Sequence, residues 1–308
     1  MPPSINPLQW HIGLVGYGEV GRILAEDLRA RGVAQLTTYD IKQGGPQDAE
    51  LRAHAGRFGV RLADSHAELA SGADLIVSAV TASQTVAVAQ ACASDIRKDG
   101  WFLDFNSASP GAKIQAAALI DGAGGRYVEG AVMTSVRPYR IRVPLLLGGP
   151  HAAALAPLLG ALGFDAQVAS EELGVASATK MSRSIMIKGL EAVVIESFTT
   201  ARAYGVEAQM LASLTETFPG IDWEKQASYF FQRVIQHGHR RAEEMREAAR
   251  TVREAGLEPW SASATAERQA WVAQLADRGL LGERGEARTD WRVDADRILA
   301  ARPPMQER

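Results

Sequence analysis

The sequence has little of several features that mark secreted or nucleic-acid-binding proteins. Its 308 residues include one cysteine, Cys92, so no disulfide can form within the chain and cysteine usage gives no support for secretion. Cys92 lies in the alanine-rich run VAVAQACASD, which favours a buried small side chain over a nucleophile. The formal net charge is -3 and the arginines are scattered through predicted helices, so nucleic acid is not an expected partner.

Membrane and metal features are also missing. No apolar run approaches the roughly 18 residues of a membrane span, and the start MPPSINPLQW lacks the charged and apolar regions of a signal peptide. No set of His, Cys, Asp or Glu residues shows metal-ligand spacing. We therefore expect a cytoplasmic protein with neither a metal nor a membrane partner. The hydrophobic content of 46% is enough for two domains, each with its own core.

The pattern of apolar segments divides the chain into two parts. In the first part, short apolar runs alternate with alanine-rich amphipathic segments, as in βαβ units around a parallel sheet. The predicted strands are HIGLVG, AQLTTYD, VRLAD, DLIVSAV, WFLDFNS, YVEGAVM and VPLLLGG. Helical patterns dominate the second part and predict helices over 175–204, 207–217, 223–255, 261–277 and 290–301. The predicted fold class is α/β, with a Rossmann-type doubly wound parallel sheet over 1–165 and an all-α domain over 166–308.

A glycine-rich stretch, GLVGYGEVG, includes the end of the first predicted strand. Gly16, Gly18 and Gly21 match the pattern GxGxxG, and a helix opens at the third glycine. Asp40 ends the next strand, nineteen residues after Gly21. We expect Gly16 to permit a tight turn, Gly18 to let the backbone approach a pyrophosphate and Gly21 to let the helix pack closely.

This arrangement predicts a dinucleotide site. The loop residues Tyr17, Glu19 and Val20 precede or open the helix, whose N–H groups and positive dipole end would face the phosphates. Asp40 would accept hydrogen bonds from ribose hydroxyls and repel a 2′-phosphate, which favours NAD over NADP, although Lys42 weakens this preference. The alternative is a glycine-rich turn that joins a strand to a helix without binding a ligand.

Four segments in order resemble the β-hydroxyacid dehydrogenase family, which includes 3-hydroxyisobutyrate and 6-phosphogluconate dehydrogenases. They are GLVGYGEVGRILAEDL, DLIVSAVTASQTV, FLDFNSASPGAK and LGVASATKMSRS. The resemblance implies that Val80 and Thr81, and then Asn106 and Ser107, lie beside the nicotinamide end of the cofactor, with Ser107 also bordering the substrate. It further implies that Lys180, its pKa lowered in a dry cleft, exchanges a proton with a substrate hydroxyl while hydride leaves its carbon.

The long helix departs from the family pattern one turn after its lysine. The family usually has asparagine four residues after the lysine, and this chain has Ser184. The spacing puts Ser184 on the same helix face as Lys180. Its hydroxyl would orient a substrate oxygen, or it would simply pack the helix.

The substrate loop departs further. The family's D-A-P-V-S-G-G is replaced by EGAVMTSVRPYRIRVP, with Glu129 at the acid position. Met133, Thr134 and Ser135 are candidate substrate contacts in place of the family's small turn. The loop also gains three arginines, Arg137, Arg140 and Arg142. A substrate of different shape from a short 3-hydroxy acid is expected.

A charged segment in the helical part, HGHRRAEEM, resembles a variant C-terminal domain of unassigned function found in some family members. In one interpretation it is a solvated helix face on which His239 pairs with Glu243. In the other, His239 or Arg240 enters the cleft and binds an anionic or phenolic substrate group. The family often has a second lysine in this region, and Glu243 or Glu244 stands at its place here.

The hypothesis is an NAD-dependent oxidoreductase that transfers hydride between nicotinamide and an alcohol carbon. Its substrate would be a small hydroxy acid or a related, including aromatic, hydroxyl compound, with Lys180 as general acid/base. One alternative is a lyase that uses NAD for transient oxidation, followed by decarboxylation or retro-aldol cleavage. The other is a nucleotide sensor without turnover. Members of the family typically dimerise through the helical domain, so a homodimer is expected.

Overall fold

The apolar runs of the first part form the strands of one sheet in the computed structural model, which describes residues 6–282 and 290–301. The strands are β1 (His11–Val15), β2 (Gln35–Tyr39), β3 (Arg61–Leu62), β4 (Leu75–Ser78), β5 (Trp101–Asp104), β6 (Arg126–Val132), β7 (Leu145–Gly148) and β8 (Ala166–Ser170). Their order across the sheet is β3-β2-β1-β4-β5-β6-β7-β8. The strands β1 to β6 are parallel, whereas β7 pairs antiparallel with β6 and parallel with β8.

Helices supply the apolar side chains that cover the sheet. They are α1 (Glu19–Ala30), α2 (Asp48–Arg57), α3 (His66–Gly72), α4 (Thr85–Ala93), α5 (Pro110–Gly122), α6 (Val136–Tyr139) and α7 (Ala152–Leu162). Alternate residues of the central strands enter two different apolar clusters: Trp101 and Leu103 pack in a cluster with α1 and α7, and Phe102 packs with α4 and α5. Burial on both faces explains why these strands read as continuous apolar runs.

The second part of the chain is helical. Its helices are α8 (Val175–Tyr204), α9 (Glu207–Thr217), α10 (Trp223–Glu254), α11 (Trp260–Asp277) and α12 (Trp291–Ala300). The bounds of α8 and α9 agree with the predicted ones, and those of the other three differ by no more than one residue at either end. Phe198, Phe231 and Trp291 lie in the core of this unit. No helix in the described residues is long and apolar enough to cross a membrane.

The structure confirms the predicted fold class but places the division of the chain later than residue 165. Two compact units separate after Met181, inside α8. The sequence did not reveal β8, because its residues are exposed or half-buried and show no apolar period. β8 extends the sheet beyond β7, so this segment belongs to the first unit rather than to the helical one.

Candidate functional site

The glycine loop joins β1 to α1 where the strand order of the sheet reverses. Gly16 has a φ of +91°, and a Cβ on it would lie 2.5 Å from the carbonyl oxygen of Ala79, so the turn requires glycine. A Cβ on Gly21 would collide with the carbonyl oxygen of Gly16. In contrast, a Cβ on Gly18 would meet nothing within 4 Å. The loop is therefore tightly packed at its first and third glycines and open at its second.

The open side of the loop leads to the N-terminus of α1. Gly18 stands at the N-cap position and has no side chain to cap the helix. The N–H of Arg22 donates to the carbonyl oxygen of Gly18 at 3.0 Å. The N–H groups of Glu19, Val20 and Gly21 lie before this first hydrogen bond of the helix. Free N–H groups at the positive end of a helix dipole attract phosphate. These residues fit the diphosphate of a dinucleotide.

Asp40 follows β2 and reaches the same loop. Its Oδ2 accepts the N–H of Tyr17 at 2.6 Å, and its Oδ1 accepts the N–H of Lys42 at 2.9 Å. Each carboxylate oxygen has two lone pairs, so Asp40 keeps the capacity to accept ribose hydroxyls. A cavity of about 210 Å³ is lined in part by Tyr17, Gly18 and Lys42. The loop and the strand-end acid thus meet as the sequence predicts.

The side chain of Tyr17 turns away from the loop into the protein. Its hydroxyl lies 3.0 Å from Nδ1 of His54, whose Nε2 lies 3.0 Å from Oε1 of Glu26. Burial raises the pKa of Tyr17 to about 12. Tyr17, which the sequence assigns to the cofactor site, therefore anchors the loop by its side chain and meets Asp40 through its backbone.

Asn106 ties together the ends of β4 and β5. Its Oδ1 accepts the N–H of Val80 at 2.7 Å, and its Nδ2 donates to the hydroxyl of Ser78 at 3.0 Å. Its own N–H donates to Oδ1 of Asp104 at 2.9 Å. Asn106 is buried, and its hydrogen bond to the N–H of Val80 fixes the backbone there. Thr81 is exposed at the start of the turn before α4.

Lys180, which the family resemblance implicates in proton transfer, is in direct contact with Ser107, which the resemblance places beside the nicotinamide and the substrate. Lys180, in the second turn of α8, donates from Nζ to the hydroxyl of Ser107 at 2.6 Å. Ser107 stands just beyond β5, and the two residues are 73 positions apart. Both are partly buried. Such an amine and hydroxyl together can hold and move a proton at a substrate oxygen.

The start of α8 is held by Glu129, a buried residue of β6. Its Oε2 accepts the N–H of Gly174 at 2.6 Å, and its Oε1 accepts the N–H of Ser177 at 2.5 Å. The sequence indicates Glu129 only as the acid of the altered loop. One pattern hints at this contact, since the helix starts after a glycine and not after Ser, Thr, Asp or Asn.

Two of the three arginines in the predicted substrate loop bind α1. Arg140 donates to Oδ1 of Asp27 at 2.8 Å and to Oε2 of Glu26 at 2.6 Å. Arg137 donates to Oε2 of Glu19 at 3.0 Å. Their charges are therefore matched by carboxylates within the first unit.

The other loop residues follow the end of β6. Thr134 is exposed, and Met133 and Ser135 are partly buried. The N–H of Met133 donates to the carbonyl oxygen of Pro144 at 2.9 Å, which continues the pairing of the loop with the segment that enters β7. Thr134 and Ser135 thus lie on a short surface turn at the carboxyl end of β6, which is where open parallel sheets present ligand contacts.

In the helical unit, Ser184 contacts a lysine that the sequence interpretation missed. Nζ of Lys188 donates to the hydroxyl of Ser184 at 3.1 Å and lies 3.1 Å from Oε2 of Glu244. Burial lowers the pKa of Lys188. The spacing of four residues would have placed Lys188 on the face of Ser184. Glu244 is one of the two residues that the sequence places where the family often has its second lysine, and here it pairs with Lys188 of α8.

The predicted cations of α10 are engaged on the surface of the helical unit. Nε2 of His239 lies 2.5 Å from Oδ2 of Asp277 on α11, so its partner is not Glu243. Arg240 pairs with Glu244 along the helix. Both side chains are more than half exposed. Among the described residues, neither pairs with a predicted site residue of its own unit.

Comparison with known proteins identifies two matching family models. Residues 11–106 match a model described as NADP oxidoreductase coenzyme F420-dependent. Residues 201–272 match DUF1932, a domain of unknown function, and this range contains the HGHRRAEEM segment. The predicted variant C-terminal domain is thereby confirmed.

Solved structures match the chain over most of its length. A conserved hypothetical protein from Sinorhizobium meliloti 1021 is 37% identical, with 93% of this chain and 96% of that chain covered and a TM-score of 0.74. The conserved protein MTH1747, described as structurally similar to 3-hydroxyacid dehydrogenases, is 29% identical, with 86% and 98% covered and a TM-score of 0.67. The 3-hydroxyisobutyrate dehydrogenase of Mycobacterium tuberculosis is 16% identical, with 95% and 100% covered and a TM-score of 0.65, and shares the fold.

Proposed function

This chain belongs to the β-hydroxyacid dehydrogenase-like family and is an NAD(P)-dependent dehydrogenase-like protein with a DUF1932 helical segment. From that premise we propose that it transfers hydride between NAD and an alcohol carbon. The proposed substrate is a small hydroxy acid or a related hydroxyl compound, which includes aromatic ones. The observation that supports this most is the 2.6 Å hydrogen bond between Lys180 Nζ and Ser107 Oγ.

Lys180 moves the proton in the proposed reaction. When bound, the nicotinamide supplies the hydride acceptor or donor. In the oxidation direction, the neutral amine of Lys180 takes the proton of the substrate hydroxyl, and in the reduction direction its ammonium returns that proton. Ser107 Oγ, already bonded to Nζ, orients the substrate oxygen towards it. The proposal keeps Ser184 as a second catalytic candidate, and its substrate-side candidates are Met133, Thr134, Ser135, His239 and Arg240.

The preference for NAD rests on Asp40. Two backbone N–H groups hold its carboxylate at the glycine loop, where the ribose hydroxyls of the adenosine would bind. A 2′-phosphate at the same place would meet a fixed negative charge. Lys42 lines the adjoining cavity and offsets this repulsion in part, so the proposal is a preference and not an exclusion of NADP.

Turnover of a substrate panel tests the reaction. We expect NADH to accumulate when the pure protein is incubated with NAD and a series of hydroxy acids and aryl alcohols, followed by NADH absorbance and product mass. Loss of a carbon fragment without net NADH would reject the proposal in favour of an NAD-containing lyase. If no compound reacts while NAD raises the melting temperature, a nucleotide sensor is indicated instead.

We also propose a homodimer formed through the helical unit. Helix α8 exposes four apolar side chains of that unit, Met186, Ile187, Leu190 and Val193. Their spacing of one, four and seven residues from the first puts them in one stripe. A contiguous exposed apolar stripe on a helix is typical of an interaction surface. A second copy of this chain is the occupant proposed here.

A further inference from the structure

The proposed proton transfer needs Lys180 Nζ within reach of Ser107 Oγ, and that distance depends on how each residue is held. Ser107 stands beyond the end of β5, and Lys180 lies in the second turn of α8. The neighbouring strand β6 carries Glu129, paired in register with Asp104 of β5. Two buried carboxylates, Asp104 and Glu129, therefore lie side by side at this edge of the sheet.

Asp104 fixes the strand end that carries Ser107. Its Oδ1 accepts the N–H of Asn106 at 2.9 Å and lies 2.9 Å from Nζ of Lys113. Its Oδ2 accepts the hydroxyl of Tyr127 at 2.7 Å. The position of Ser107 is thus set within the sheet. The distance from Ser107 Oγ to Lys180 Nζ then depends on where α8 begins.

Glu129 sets that place. Gly174 precedes α8 with a φ of +91° and has no side chain that could cap the helix. The two carboxylate oxygens of Glu129 take the place of a capping side chain. They accept the N–H groups of Gly174 and Ser177. Ser177 is three residues before Lys180, so a contact that fixes Ser177 also fixes the rotation of the face that carries Lys180.

The sheet leaves just enough room for this contact. Gly148 of β7 pairs with Glu129 in the antiparallel ladder. A Cβ on Gly148 would lie 2.8 Å from Oε2 of Glu129, closer than real Cβ atoms approach. A side chain at position 148 would therefore take the space in which the carboxylate of Glu129 lies.

We propose that Glu129 is the positioning residue of Lys180. Its carboxylate holds the first turn of α8 so that Nζ of Lys180 reaches the hydroxyl of Ser107. The catalytic consequence rests on the proposed function. The placement of Lys180 beside Ser107 does not depend on the proposed function, and it can be measured in the protein without cofactor or substrate.

Lysine labelling tests the geometry. The protein is acylated with a water-soluble reagent over a pH series, and each lysine is followed by peptide mass spectrometry. Glu129→Gln keeps the shape but places an amide donor where an N–H needs an acceptor. We expect Lys180 to be labelled about fivefold faster in Glu129→Gln, because an ordinary hydrogen bond shifts an equilibrium by about that factor. Glu129→Asp keeps the charge but is one methylene shorter, so it should restore slow labelling in part.

Three internal controls separate positioning from charge and from unfolding. Exposed Lys98 should be labelled equally in all variants, and buried Lys113 should stay unlabelled. Glu172→Gln removes an exposed negative charge near the same helix start and should leave Lys180 unchanged. Unchanged labelling of Lys180 in Glu129→Gln, or an equal rise at Lys113, would overturn the proposal.

A double-mutant cycle tests the catalytic consequence once a substrate is known. Glu129→Gln should lower kcat by about a hundredfold, as expected for a misplaced catalytic group, while NADH binds unchanged. Adding Glu129→Gln to Lys180→Ala should lower kcat no further. An additional loss in the double variant would contradict action through Lys180. If the wild type turns over no substrate, the proposed function fails while the labelling result still decides the role of Glu129.

Discussion

At the scale of single residues, Lys180 is the side chain on which the proposed chemistry depends. Lys180→Ala removes the group that moves the proton, and we expect kcat to fall by about 10²- to 10⁴-fold, the usual contribution of general acid–base catalysis. NAD binding should be unchanged, since no cofactor contact is assigned to this side chain. Turnover assays and fluorescence titration with NADH measure the two effects. Lys98→Ala is a matched surface control, and full turnover in Lys180→Ala would reject the role.

Asp40 is the residue that decides between the two cofactors. Asp40→Ala should weaken NAD about tenfold or more, the effect of losing hydrogen bonds to a charged acceptor, and should weaken NADP much less. Lys42→Ala should act in the opposite sense by weakening NADP more than NAD. Titrations of both variants with NADH and NADPH give the ratios. Equal losses for the two cofactors in Asp40→Ala would remove it from the ribose site.

At the scale of an element, the glycine loop offers a matched pair of substitutions. Gly18→Ala adds a methyl group in open space at a backbone conformation, φ -76°, that alanine tolerates. Gly21→Ala drives a methyl group into the carbonyl oxygen of Gly16. We expect both variants to lose NAD affinity, but only Gly21→Ala to lower the unfolding temperature. Thermal unfolding and NADH titration on the two proteins separate these effects, and unchanged NAD affinity in Gly18→Ala would show that no phosphate approaches there.

The helices and the glycine loop could be predicted from the sequence, but the edge strand β8 could not. The spacing of apolar residues was enough to predict the bounds of α8 and α9, because that spacing follows the helical period along each segment. It was not enough for β8, a short edge strand with exposed side chains. The glycine loop could be predicted from the local spacing of its glycines, because the backbone conformation at Gly16 requires glycine.

Contacts between distant segments were beyond local pattern. The pairing of Lys180 with Ser107 spans 73 residues and was expected only through the family resemblance. The family resemblance assigns Glu129 to the substrate loop, whereas the residues that it contacts lie 45 and 48 positions further along the chain. Helical spacing predicts that His239 pairs with Glu243, but its partner is Asp277 of the neighbouring helix α11. Tertiary packing decides between partners that local spacing leaves equal.

At the scale of the whole molecule, the apolar stripe of α8 predicts association. Val193, which is 62% exposed, and Met186, which is 72% exposed, are its most exposed members. Val193→Glu should convert a dimer to monomers, because a dimer would bury this charge among apolar side chains. Light scattering coupled to size-exclusion chromatography measures the mass. Val293→Glu, at a 48% exposed valine of α12 outside the stripe, is the control, and a monomeric wild type would contradict the proposal.

The fit between Glu129 and Gly148 also has an evolutionary consequence. The carboxylate occupies the volume that a side chain at 148 would need, so the two positions constrain each other's history. A lineage that retains glutamate at 129 should retain glycine at 148, and a branched residue should arise at 148 only after the glutamate has been lost. Aligned homologues can therefore reveal the order of these substitutions, and a homologue with both glutamate and a branched residue would break the rule.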